Sequence, residues 1–224
     1  MKKNILITGT SKGIGSAIKN ELSNSNFNCI CPTREELDIN NSDSIENYFN
    51  KLNIEIHGLV NNAGINVLGN IESLNDEDIQ NMLNINLIAP LKLIQHVVKN
   101  MRLSNYGKIV NISSIWGVRS KEFRTLYSMT KFGINGMTKS LARELGEYNI
   151  LINSIAPGYV NTEMTKKNVP FEEQIKIKEN IPLKRFAEPE EIAKLVSFLI
   201  SENNSYITGQ TIIIDGGFLA WNLK

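Results

Sequence analysis

Short apolar runs alternate along the chain with longer stretches that carry an apolar residue every third or fourth position. Residues 5–9 (Ile-Leu-Ile-Thr-Gly) read as a buried strand, and Ile14, Ala17, Ile18 and Leu22 follow at helical spacing. Residues 27–31 form a second strand, stopped by Pro32. Ser42 is then expected to cap a helix carrying Ile45, Tyr48, Phe49 and Leu52. Strands at 57–61, 108–112, 150–155 and 211–214 follow, separated by helical patterns over about 76–101 and 123–147. Residues 163–180 are polar and weakly periodic, with Pro170 in the middle, and Pro189 opens a last amphipathic helix.

Strands alternating with helices predict an α/β fold: a three-layer, doubly wound parallel sheet of Rossmann type. Continuously apolar strands such as Ile5 to Ile7 and Ile212 to Ile214 fit burial on both faces. Six residues separate Cys31 from Asp38, too few for an ordinary parallel crossover. The second crossover is therefore expected to be shortened, its helix missing, with residues 37–39 as a short extended piece. No linker or repeat interrupts the 224 residues, so one domain over 1–224 is expected.

Composition narrows the class without naming a chemistry. The chain is 42% apolar, ample for a core, and 24 basic against 23 acidic residues leave a net charge of +1. That balance gives no reason to expect a nucleic-acid or membrane partner. Cys29 and Cys31 are too few for a disulfide framework and lack companions for a metal site, so no metal is expected. The first residues enter a Gly-rich loop too soon for a leader, and no apolar run reaches spanning length, so a cytoplasmic protein is expected. His57 and His96 lack metal-ligand spacing and read as structural.

Candidate chemistry collects at the ends of the strands, where open parallel sheets bind ligands. The turn Gly9-Thr-Ser-Lys-Gly-Ile-Gly15 places glycines at 9, 13 and 15, not in G-x-G-x-x-G spacing. Its physics is that of a phosphate site: close backbone approach and free N–H groups at a positive helix end. Tyr127 and Lys131 lie four apart on a predicted helix and share a face. An ammonium beside a phenol lowers the phenol pKa, which would suit proton transfer near neutrality.

Together these segments resemble the short-chain dehydrogenase/reductase family over nearly the whole chain. The resemblance rests on Thr8-Gly-x-x-x-Gly-x-Gly15, Asn61-Asn-Ala-Gly64, Asn86, Ser114, Tyr127-x-x-x-Lys131, Pro157-Gly158, Thr162, Ile207-Thr-Gly-Gln-Thr and Asp215-Gly-Gly217. The look is most like that of 3-oxoacyl carrier-protein reductases. It implies hydride transfer between a nicotinamide and a carbonyl or alcohol, with a small molecule or an acyl thioester as substrate. By the same resemblance Tyr127 would exchange the proton and Ser114 would polarise the carbonyl. Lys131 would tune Tyr127 and bond the nicotinamide ribose, and Asn86 would hold a relay water. Gly9, Ser11, Lys12, Gly13, Ile14, Gly15, Asp38, Ile39, Asn62, Ala63, Gly64, Pro157, Val160 and Thr162 would contact the cofactor, with Tyr127 and Lys131.

Where NAD-preferring members of the family carry an acidic residue, this chain has Pro32-Thr-Arg34. Arg34 and Lys12 would meet a 2′-phosphate, so NADP is expected over NAD, unless Glu35 or Glu36 takes the ribose position. Residues 163–181 match the family's mobile substrate lid. Arg119, Lys121 and Arg124 lie near the mouth, either as solvated charges or as attraction for an anionic substrate or acidic carrier protein. Pairing of the two long helices into a homodimer or homotetramer is also implied. Two rivals use the same scaffold: a non-catalytic dinucleotide-binding regulator and a sugar-modifying enzyme. The four catalytic residue types argue against the first, and the short C-terminal part against the second.

Overall fold

The computed structural model describes residues 2–221; Met1 and positions 222–224, the ends of the expected domain, lie outside the described residues. Six strands form one parallel sheet: β1 (Asn4–Ile7), β2 (Asn28–Ile30), β3 (Gly58–Asn61), β4 (Gly107–Ile112), β5 (Ile150–Pro157) and β6 (Thr211–Ile214), in the order β2-β1-β3-β4-β5-β6. The order reverses at β1, which β2 and β3 flank on opposite sides, and that is where an open sheet leaves a crevice for a ligand.

Alternation along the strands builds the two outer layers. Ile5 and Ile7 face α1 (Gly13–Asn24) and α8 (Pro189–Ile200) together with Val60, Val110 and Ile155. Leu6, Leu59, Ile109 and Ile152 face the other way, onto α2 (Ser42–Lys51), α4 (Ala89–Ser104) and α5 (Thr125–Leu145). Successive side chains point to opposite faces of a strand, so one apolar run fills both cores. Both histidines pack as scaffold. His57 accepts a hydrogen bond from the Asn4 amide at 3.1 Å, and His96 stacks on Phe49 at 4.4 Å.

Three expectations change. Residues 37–39 do not join the sheet: β2 is a three-residue edge strand, and the chain passes through two turns, at 34–36 and 39–40, into α2. The first turn closes on itself, with the Glu36 carboxylate accepting from Thr33 N at 2.7 Å and Leu37 buried in the core as an anchor. Asn41, not Ser42, caps α2, its side chain accepting from the amides of Asp43 and Ser44. The expected long helix over 76–101 is divided into α3 (Asp76–Leu83), a π-helical turn at Asn84–Ile88, and α4. Such a turn inserts a residue into the helix and is frequent at functional sites.

Residues 163–180 form α6 (Glu163–Asn168) and α7 (Phe171–Asn180), with Pro170 between them. They are less loose than their polar sequence suggests. Val169, Ile177 and Ile181 are buried in a third apolar cluster with Trp116, Tyr159 and Phe186. Among the described residues no helix is long and apolar enough to cross a membrane.

Candidate active site

A cleft of about 960 Å³ runs along the carboxyl ends of β1, β3, β4 and β5. All of the residues expected at the cofactor line it, from Arg34, Asp38 and Ile39 at one end to Tyr127 and Lys131 at the other; Asn86 does not.

The first wall is backbone. Gly9 has φ +70°, and a Cβ there would lie 2.8 Å from the Ala63 Cα. A Cβ on Gly15 would lie 2.0 Å from the Gly9 carbonyl oxygen, so no side chain fits. The Thr8 hydroxyl accepts from the amides of Asn62 and Ala63, both at 3.1 Å, and the Asn62 side chain donates to the carbonyls of Thr8 and Gly9. These bonds lock the turn after β3 against the turn after β1. Helix α1 opens at Lys12 with no side-chain cap and no acidic residue in its first turn. Its first N–H groups and their positive potential therefore face the cleft. This cradle fits the phosphates of a dinucleotide.

The second wall is made of side chains. Ser114 is buried at the end of β4, its Oγ accepting from Trp116 N at 3.1 Å, and it lines the cleft together with Tyr127. Lys131 is 5% exposed, and its Nζ donates to the Ile112 carbonyl at 2.8 Å, 5.5 Å from the centre of the Tyr127 ring. Burial brings the Lys131 pKa down to about 8. Burial also holds the Tyr127 phenol above its usual range, against the smaller opposing pulls of Ser114 and Arg124. The expected lowering of Tyr127 by Lys131 is thus absent: the ammonium is turned onto Ile112, and desolvation dominates.

Asn86 sits inside the π-helical turn, 1% exposed. Its side chain accepts from Ile65 N at 2.9 Å and donates to Ile65 O at 2.8 Å. Both amide ends are engaged, so the side chain fixes the loop after Gly64. Arg124 also differs from expectation. It is 7% exposed and packs over Trp116, whereas Arg119 is exposed and Lys121 pairs with Glu173 at 3.3 Å.

The positioning role of several residues escaped the sequence reading. Asn61 donates to Asn111 at 2.8 Å, Asn111 to Thr138 at 3.0 Å, and Thr138 meets Ser154 at 2.7 Å. This buried ladder ties β3, β4, α5 and β5 together. The signal was an Asn at the same place in two apolar strands, since Asn61 and Asn111 are partners in register. Lys19 and Asn20 on α1 also border the cleft.

Residues 10–219 match the family model described as enoyl-(acyl carrier protein) reductase. The chain belongs to the short-chain dehydrogenase/reductase family. It is accordingly an oxidoreductase acting between carbonyl and hydroxyl groups with a nicotinamide dinucleotide. Its relatives include the 3-oxoacyl-(acyl-carrier-protein) reductase FabG of Thermotoga maritima, 35% identical with 96% of each chain covered. The FabG of Aquifex aeolicus is 38% identical, covering 95% of this chain and 86% of its own. A 4-hydroxyisoleucine dehydrogenase solved with NADH superposes at TM-score 0.92, with 31% identity over 98% of this chain and 99% of that one. ElxO solved with NADP superposes at 0.91, with 31% identity over 98% and 100%. The family thus accommodates either dinucleotide in this fold.

Proposed function

We propose that the protein uses NADPH to reduce a carbonyl to a hydroxyl, with Ser114, Tyr127 and Lys131 as catalytic residues and Asn86 positioning the loop beside them. The observation that carries this reading is the gathering of Ser114, Tyr127 and Lys131 on one cleft whose other end is a glycine-walled helix terminus. A phenol held neutral by burial is a proton donor, which suits reduction. Ser114, oriented by the Trp116 amide, has its own hydrogen left to polarise the carbonyl oxygen. Lys131, anchored on Ile112, lines the cleft with N–H groups left for the nicotinamide ribose. The bound dinucleotide supplies the hydride. A residue pair that delivers a proton where charge develops on oxygen accounts for about 10²- to 10⁴-fold of rate.

The preference for NADP is supported by the side chains at the far end. Lys12, Lys19 and Arg34 border the cleft there. Of the rival carboxylates, Glu36 accepts from the Thr33 amide and Asp38 from the Asn40 amide. Arg34 reaches Asp38 at only 3.8 Å and remains exposed, so it can swing to a 2′-phosphate. Within this reading the chain is one domain with residues 163–181 as its substrate lid. It pairs as a cytoplasmic homodimer or homotetramer through α4 and α5, where Leu91, Met129 and Phe132 are exposed.

Reduced-nicotinamide absorbance with a panel of ketones, oxo acids and 3-oxoacyl thioesters tests this. The expected result is turnover with NADPH well above NADH, and Arg34→Ala lowering NADPH efficiency on the order of 10-fold with NADH unchanged. A strong NADH preference overturns the cofactor assignment. Dinucleotide binding with no turnover on any carbonyl favours the regulatory rival.

A further inference from the structure

We infer that Arg124 binds a carboxylate of the substrate, so that the natural carbonyl substrate is a short oxo acid with a free carboxyl group. The inference rests on the reading above in placing the reacting carbonyl at Tyr127.

Arg124 is an anomaly among the buried cations. Lys131 donates to the Ile112 carbonyl and Lys108 to the Asn204 carbonyl, so each has a partner. Arg124 is as buried, and among the described residues its guanidinium has no ion pair or side-chain hydrogen bond. Arginine does not escape by losing its proton. Its guanidinium carbon lies 5.6 Å from the centre of the Trp116 ring. Stacking uses the face of the guanidinium and leaves its N–H edge free. Trp116 packs in one cluster with Tyr159, 6.3 Å away, and with the Tyr127 ring, which sets the guanidinium beside these rings. The two carboxylates near Tyr159 do not neutralise it: Glu173 pairs with Lys121, and Glu122 is exposed. Arg124 stands moreover at the N-cap of a 21-residue helix, the positive end of its dipole. A buried cation without an anion, at a second source of positive potential, is a poor structural choice and a good anion site.

Arg124 at the N-cap and Tyr127 in the first turn of α5 are three residues apart, and both pack against the Trp116 cluster. Carboxylate and carbonyl are therefore a few bonds apart. A thioester offers no charge at that distance.

The test compares acetoacetate and 4-oxopentanoate with their methyl esters, using NADPH, in wild type, Arg124→Met and Arg124→Lys. The expected result is kcat/KM for one of the acids roughly 30- to 100-fold above its ester in wild type, carried by KM. That ratio falls to near 1 in Arg124→Met and is partly restored in Arg124→Lys. Quenching of Trp116 emission by the same acids in the NADP⁺ complex reads binding without turnover, and it should be lost in Arg124→Met. Turnover of esters and 3-oxoacyl thioesters as good as that of the acids, insensitive to Arg124→Met, overturns the inference and leaves the reductase standing. Carboxylate-dependent quenching with no turnover of any compound overturns the reductase reading and leaves the anion site standing. Neither quenching nor an acid-to-ester ratio overturns the inference.

Discussion

The two walls of the cleft are built from different material. On the dinucleotide side the shape is made by backbone: Gly9, Gly13 and Gly15 bring chain against chain, and Asn62 and Thr8 bond main-chain groups. On the substrate side the shape is made by side chains from separate segments: Ser114, Tyr127, Lys131 and Met164, backed by the buried cluster of Trp116, Tyr159 and the apolar residues of α6 and α7. A backbone wall recognises what every dinucleotide has in common, its phosphates. A side-chain wall can be exchanged residue by residue, and it decides what is reduced. Removing a group should therefore cost activity in different currencies on the two sides.

The largest effect is expected where the walls meet. Tyr127→Phe keeps the ring and the packing but removes the proton donor, so kcat should fall about 10³-fold or more, with dinucleotide affinity little changed. Near-normal turnover in this variant, measured with the best substrate of the panel, would sink the proton-donor assignment. Next comes Gly15→Ala on the backbone wall. The new methyl would meet the Gly9 carbonyl at 2.0 Å and the Asn62 amide at 2.5 Å, neither of which is a flexible tip. Stability should drop by about 2 kcal/mol from overpacking, and fluorescence titration should show affinity for NADPH and NADH lost together. Loss for one dinucleotide alone would mean that this wall, too, reads identity.

The same contrast explains what could be read from the chain before its fold was seen. Backbone walls need glycines at fixed places, and close approach cannot be made otherwise. Thr8 to Gly15 and Asn61 to Gly64 were therefore visible in sequence, as was the sheet, through its alternating periods. The second wall was visible only at Ser114, Tyr127 and Lys131, through the family pattern. The burial of Arg124 was not, because a cation between Phe123 and Thr125 looks like any solvated charge until Trp116 is placed over it. The π-helical turn was hidden for a similar reason: Asn86 leaves the apolar spacing of 76–101 almost intact, and only its bonds to Ile65 reveal the extra residue.

Lys131 sharpens the comparison, since it serves both walls and weakens the fold. Its pKa is about 8 in the folded protein and about 10.5 unfolded. Between those values the unfolded chain holds more protons, so stability should rise as pH rises from 8 toward 10.5. Below pH 8 the full penalty is present, about 3 kcal/mol. Lys131→Met removes it. At pH 7 the variant should be inactive yet melt higher than wild type, by up to about 2 kcal/mol after the loss of the Ile112 bond. Thermal melts from pH 7 to 10 should show the gap between the two proteins closing. A gap that widens with pH would mean that the buried ammonium stabilises the fold.

The smallest effect is expected at the rim of the side-chain wall. Glu173 on α7 pairs with Lys121 at 3.3 Å, both half exposed, and an ion pair in that setting contributes less than about 1 kcal/mol. The segment is held instead by Val169, Ile177 and Ile181, which are 4%, 8% and 1% exposed. Glu173→Gln should therefore leave the melting temperature nearly unchanged, speed amide exchange in α7 slightly and raise KM a few-fold. Ile177→Ala, by contrast, should loosen the whole segment at a cost of about 2–4 kcal/mol to its docking, and raise KM far more than it lowers affinity for the dinucleotide. If Glu173→Gln proved the more damaging of the two, the wall would be held by charge at its edge rather than by apolar burial beneath. Substrate choice would then respond strongly to salt, whereas the structure predicts that it responds to the shape of the pocket and to the one charge inside it.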